Sequence, residues 1–194
     1  MNRTSYSISY CILNPFVRFL WPLRTIGKKN KPQGAALVCA NHQSNLDPAL
    51  LAAAFGMKTQ LRFMAKKELF DIPVFKHWLN AMGVFPIDRQ ESDISAIRTA
   101  MKYLKSGEMV MMFPEGTRVS PEESIAAKTG AVRIATKLKV PILPVYIESK
   151  HRVWHMSRVY VGEPYYPEAP HGKEDYAALS QELMDKIYAL EPKK

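Results

Sequence analysis

"AALVCANHQSNLDPALLAAAFG", residues 35–56, decides the fold. The run AALVCA (35–40) reads as a short strand buried on both faces, and PALLAAAFG (48–56) as a helix with Pro48 at its first position, Asp47 at its N-cap and Gly56 as its stop. Between them His42 and Asp47 stand five positions apart. An unbroken helix turns through about 500° over that interval and would point the two side chains apart, so the segment is not helical throughout. His42 is therefore expected on the loop leaving a strand, where open α/β sheets usually bind ligands. From the helix start Asp47 is able to fold back towards the imidazole. The competing reading makes Asp47 only a cap and His42 only a polar loop residue.

Outward from this stretch, strands and helices alternate. QLRFMA (60–65), VFPID (84–88), MVMMF (109–113) and VPILPVYI (140–147) read as strands, with RVYVGEP as a further one. Helices are expected in the segment broken near Pro73, in DISAIRTAMKYLKSG, in AVRIATKLK and in the closing KEDYAALSQELMDKIYAL. In DISAIRTAMKYLKSG, Asp93 is the expected N-cap, Gly107 the stop, and Ile94, Ile97, Met101 and Leu104 the apolar side. Strands that are apolar on both faces, separated by helices, indicate an α/β domain with a largely parallel central sheet flanked by helices. The 194 residues fit one such domain, with no repeat or linker dividing it.

Composition narrows the chemistry. Cys11 and Cys39 are the two cysteines, which excludes a disulfide framework and a cysteine metal signature and suits a reducing compartment. The formal net charge of +9 favours anionic partners. The first acidic residue is Asp47, whereas Arg3, Arg18, Arg24, Lys28, Lys29 and Lys31 precede it. Residues 1–32 thus form a basic amphipathic segment ahead of a domain at 33–194. Within it YCILNPFVRFLWPL sets Phe16, Phe19, Leu20 and Trp21 beside Arg18, too interrupted to span a bilayer but suited to its interface, with the charges towards anionic lipid. The same periodicity also fits a helix packed on the domain's own core.

If the strands end near residues 40, 65, 88 and 113, the polar groups just beyond them converge on one rim: His42 and Asp47, Lys66 and Lys67, Arg89, then Glu115 and Arg118. A histidine oriented by a carboxylate deprotonates a hydroxyl, and lysine and arginine hold phosphate. FPEGTR (113–118) adds a turn that aims Arg118, a planar donor suited to bidentate phosphate contacts. Taken singly, each group also has a structural reading: a turn, a solvated lysine pair, a surface ion pair.

Four blocks in this order, NHQSNLD, GVFPIDR, FPEGTR and VPILPVYI, resemble the motif blocks of the glycerophospholipid acyltransferases, most closely the 1-acylglycerol-3-phosphate (lysophosphatidic acid) acyltransferases. The resemblance covers roughly residues 35 to 150. It implies transfer of an acyl group from a thioester, acyl-coenzyme A or acyl carrier protein, to the free hydroxyl of a lysophospholipid, with no metal or organic cofactor. It further implies His42 as general base and Asp47 as its orienting partner. Arg118, with Lys66 and Arg89, would bind the acceptor's phosphate, and Glu115 and Gly116 would shape its pocket. Neither Ser44 nor Cys39 is given a covalent role. Two positions depart from the family pattern: Val119 stands where serine often follows the third-block arginine, and Ala127 replaces an aromatic ahead of Lys128 and Gly130. Both bear on acceptor and chain fit rather than on the reaction.

The expected partners are therefore a membrane lysolipid, an acyl donor and an anionic membrane surface, with no nucleic acid. The expected place is the cytoplasmic face of a bacterial inner membrane, by peripheral or monotopic attachment. Backbone N–H groups around residues 41–45 are candidate oxyanion donors. Acylation of another lysolipid, a hydrolase using the same pair on water, and a noncatalytic lipid-binding domain are the alternatives.

Overall fold

The computed structural model describes residues 3–88, 94–118, 127–148, 152–168 and 175–192. Seven strands, β1 (Leu23–Ile26), β2 (Ala36–Ala40), β3 (Leu61–Lys66), β4 (Phe85–Ile87), β5 (Met109–Met112), β6 (Ile142–Glu148) and β7 (Ser157–Val161), form one sheet. Their order is β1-β7-β6-β2-β5-β3-β4. Strands β2 to β6 pair in parallel, and β7 runs antiparallel to β6 and parallel to β1. The expected single α/β domain with a mostly parallel sheet is what the chain forms.

The two faces follow the period-two rule for strands. Ala36, Val38 and Ala40 of β2, Met109 and Met111 of β5, and Leu143, Val145 and Ile147 of β6 join one core. Leu37, Cys39, Val110, Ile142 and Tyr146 join the other. On the first face lies α2 (Asp47–Phe55), where Leu50, Leu51, Ala52, Ala53, Ala54 and Phe55 are all buried. A helix apolar all round needs cover on its outer side as well. That cover is α1 (Arg3–Leu20), which buries Tyr6 and Val17 and packs Leu13 onto the same core. On the second face lie α4 (Ile94–Lys105), α5 (Gly130–Leu138) and α6 (Asp175–Tyr188).

The basic amino-terminal segment supplies more than a surface helix. Leu23–Ile26 within it is the edge strand β1, paired with β7 at Leu23 to Ser157 through Ile26 to Tyr160. The Arg18 guanidinium donates to the Ala53 carbonyl at 2.8 Å, and the Lys31 ammonium to Ala54 and Phe55 at 2.9 and 3.2 Å. Both cations therefore satisfy the open carbonyls at the negative end of α2, where the helix dipole favours them. Burial and then the neighbouring Lys28 lower the Lys31 pKa to about 8.

The core face of α4 is the expected one only in part. Leu104 is buried and Met101 packs against the core as expected, but Ile94 and Ile97 are exposed, and Ala96 and Ala100 are buried in their place. Alanines at i and i+4 let the helix axis approach the sheet more closely than isoleucines would, so the small residues face inward. Asp93, the expected cap of this helix, lies outside the described residues. The segment broken at Pro73 forms a 3-10 turn at Lys67–Phe70 and then α3 (Pro73–Met82), which packs against α1.

Candidate active site

The topology places a crevice before any side chain is considered. From β2 the chain crosses one face through α2 towards β3; from β5 it crosses the other face through α5 to β6. Adjacent strands whose chains leave in opposite directions form a topological switch point at their carboxyl ends. His42 follows β2 and Phe113 follows β5, so both stand at this opening.

Asn41 starts the departure from the sheet. Its side chain accepts the Ile147 N–H at 2.7 Å and donates to the Ile147 carbonyl at 3.2 Å. A side-chain amide thus takes over the next step of the ladder, and the backbone is released to turn outwards at His42. The His42 ring stacks on Phe113, centroids 3.8 Å apart and planes within 13°.

Asp47 opens α2 but is not its cap. The residue before the helix is Leu46, and no side chain caps the terminus. The Asp47 carboxylate turns back instead: Oδ2 accepts the Gln43 N–H at 2.8 Å, the Ser44 N–H at 2.7 Å and contacts His42 Nδ1 at 3.0 Å. The five-residue spacing is closed by the intervening turn, in which Ser44 accepts the Leu46 N–H through its hydroxyl and the Asp47 N–H through its carbonyl. Asp47 is 1% exposed and His42 6%. A carboxylate oxygen can only accept, so Nδ1 carries the proton and Nε2 keeps its lone pair.

Glu115 joins the same centre by an unexpected route. It is 3% exposed; Oε2 accepts the His42 backbone N–H at 2.8 Å and Oε1 accepts the Tyr188 hydroxyl at 3.0 Å. Burial raises its pKa, and these two hydrogen bonds act against the rise. Both oxygens face protein donors, so Glu115 ties the loop that carries His42 to the end of α6. Gly116 beside it has φ +70°, and a Cβ there would lie 2.5 Å from Lys128 Cε. The positive φ favours glycine there, and the Lys128 stem, which passes over the turn, would have to move aside for any side chain.

The remaining rim residues are less tightly held. Lys66 ends β3, which the sheet order sets two strands from β2, about 10 Å along the rim. Arg118 is exposed beyond the turn that follows β5. Arg89 lies outside the described residues. Of the backbone donors expected for an oxyanion, the N–H groups of His42, Gln43 and Ser44 are already engaged by Glu115 and Asp47. Ser44 holds the turn, and complete burial pushes the Cys39 thiol pKa up, so neither is poised as a nucleophile. Sequence reasoning missed Phe113 as the stacking partner and Tyr188 altogether. Phe113 sat within a quoted block; Tyr188 carried no signal, being 73 positions from Glu115.

A buried imidazole oriented by a carboxylate in the crevice of an α/β sheet is the equipment of a general-base enzyme. The acyltransferase family model matches residues 23–148. The 1-acyl-sn-glycerol-3-phosphate acyltransferase of Bacillus subtilis is 33% identical over 180 residues, 88% of this chain and 89% of that protein. A probable 1-acyl-sn-glycerol-3-phosphate acyltransferase of Mycoplasma pneumoniae is 38% identical over 141 residues, 66% of this chain but only 52% of that protein. The crystal structure of the 1-acyl-sn-glycerophosphate (LPA) acyltransferase PlsC from Thermotoga maritima has the same fold, with a TM-score of 0.71 and 24% identity over 97% of this chain and 78% of that one. This chain belongs to the acyltransferase family.

Proposed function

We propose that the protein transfers a fatty acyl group from an acyl thioester, acyl-coenzyme A or acyl carrier protein, to the free hydroxyl of 1-acylglycerol-3-phosphate, making phosphatidic acid for phospholipid biosynthesis. The buried His42 and Asp47 pair, in a chain of this family, is the observation that carries the reading. His42 Nε2 takes the acceptor's hydroxyl proton while that oxygen attacks the thioester carbonyl. Asp47 stabilises the imidazolium that results. Collapse of the tetrahedral intermediate breaks the carbon–sulfur bond, and the thiolate leaves with the proton returned from His42. Arg118 and Lys66, with Arg89, hold the phosphate on the rim. No metal or organic cofactor takes part in this scheme.

Acceptor choice tests both the substrate and the arginine. With palmitoyl-coenzyme A in mixed micelles, the expected product from lysophosphatidic acid is phosphatidic acid. Arg118→Ala is expected to lower kcat/KM for that acceptor about 10- to 100-fold, mainly through KM, as loss of a charge-assisted hydrogen bond does. Equal turnover of a lysolipid lacking the phosphate, with no effect of Arg118→Ala, would move the reading to another acceptor.

A lipid acceptor calls for attachment to a membrane, and α1 offers a surface for it. Its second apolar stripe, Ile8, Ile12, Phe16 and Phe19 at helical spacing, stays exposed at 58%, 74%, 59% and 68%, beside Val74, Phe75 and Trp78 of α3. Among the described residues no helix is long and apolar enough to cross a membrane. The proposed attachment is therefore peripheral, by this face, at the cytoplasmic side of a bacterial inner membrane. Replacing Phe16 and Phe19 together by serine is expected to weaken co-sedimentation with phosphatidylglycerol-containing vesicles about 10- to 100-fold while the circular dichroism spectrum is kept. Undiminished vesicle binding would assign attachment elsewhere.

A further inference from the structure

The His42 backbone is held from a part of the chain that no motif touches. Once Asn41 has released the loop from the sheet, the His42 N–H has lost its place in the ladder, and Glu115 Oε2 supplies its acceptor. A buried carboxylate favours its protonated form unless donors reach it, and a protonated carboxyl is a weaker acceptor. Glu115 receives two donors, the His42 N–H and the Tyr188 hydroxyl. The second comes from the last residue of α6, whose Leu183, Met184 and Ile187 are buried against the sheet. The Tyr188 ring itself rests edge-on against Tyr146 of β6, centroids 6.0 Å apart. The ring, 40% exposed, is thus carried by α6 and β6 and not by the loop it serves.

We propose that Tyr188 is a positioning residue for the acyl transfer: its hydroxyl holds the Glu115 carboxylate, and Glu115 holds the backbone that carries His42. The kinetic part of this role rests on the reaction assigned above. Burial and then the Glu115 charge raise the Tyr188 pKa, so the phenol remains a donor across the working pH range. The titratable groups facing Glu115 are His42 from the loop after β2, Asp47 from α2 and Tyr188 from α6, with Lys128 folded over the adjacent Gly116. Removing the hydroxyl removes one of the two hydrogen bonds that lower the Glu115 pKa. Its carboxyl then titrates at higher pH, and the acid limb of the rate profile moves up with it.

Tyr188→Phe keeps the ring and its packing on Tyr146. The matched control is Tyr160→Phe, which removes another tyrosine-to-glutamate hydrogen bond, Tyr160 to Glu148 at 3.0 Å, away from His42. In Tyr188→Phe, kcat is expected to fall about tenfold with the acceptor KM unchanged. The acid limb should move to higher pH, and the His42 amide should exchange its hydrogen about tenfold faster by NMR. Tyr160→Phe should change none of these. Unchanged kcat, acid limb and amide exchange in Tyr188→Phe would overturn the proposal, as would equal losses in both variants. Should the wild type transfer no acyl group, that failure belongs to the reaction, and the tether is judged on the His42 amide alone: faster exchange upholds it and unchanged exchange overturns it.

Discussion

Replacing His42 with alanine is expected to lower kcat about 10³- to 10⁴-fold while lysophosphatidic acid binding stays within a few-fold of wild type. The magnitude is that of losing a positioned general base, with whatever binding and orientation provide left in place. The structure makes the separation sharp because His42 is 6% exposed and tied to Asp47 and Phe113, whereas Lys66, assigned to phosphate, ends a strand two places away in the sheet. Stacking on Phe113 is lost as well, so the thermal midpoint should be recorded beside the rate. Turnover within tenfold of wild type in a folded His42→Ala protein removes this residue as the base.

Asp47→Asn is expected to be nearly as damaging, by a different route. One carboxylate oxygen faces the Gln43 N–H, the Ser44 N–H and His42 Nδ1. An asparagine of the same shape presents either a neutral oxygen or an NH₂ group to those donors. A neutral oxygen no longer stabilises the imidazolium; an NH₂ group donates to Nδ1 and moves the ring proton to Nε2, where the base is needed. Loss of the orienting carboxylate in a hydrolytic triad costs about 10⁴ in kcat through this tautomer error, and a loss of about 10³- to 10⁴-fold is expected here. Two backbone donors also lose a charged acceptor, each worth about 1.5–3 kcal/mol, so the variant should melt measurably lower. Steady-state rates with a melting curve check both. A rate near wild type would mean that His42 needs no orienting carboxylate.

The alternation of strand and helix was legible because the central strands are apolar on both faces and glycines, Gly56 and Gly107, stop α2 and α4. What escaped was set by distant parts of the chain. β1, read within a basic leader, is four residues long and gains its strand character only by pairing with β7, more than 130 positions on. The inward face of α4 went to Ala96 and Ala100 because close approach to the sheet outweighs side-chain size, a choice that periodicity among isoleucines cannot reveal. Asp47 followed by Pro48 has the pattern of a cap, yet its carboxylate faces the loop before the helix because three donors gather there.

The site divides in the same way. His42 and Asp47 were readable as a local pair, since five residues and one turn bring them together. The contacts of Glu115 were not readable, because its partners are the His42 backbone and a tyrosine at the far end of α6. Arg18, read beside the apolar side chains of the leader, and Lys31, read only as part of its charge, both reach open carbonyls at the end of α2, contacts that depend on how the leader folds back.

The most direct test of the account is rapid-quench measurement of thiol release from palmitoyl-coenzyme A by the wild-type protein, with and without lysophosphatidic acid. Direct activation of the acceptor by His42 requires that thiol appear only when acceptor is present, one phosphatidic acid forming for each thiol released. A burst or steady release without acceptor would contradict it, the burst marking an acyl-enzyme and the steady release a hydrolase.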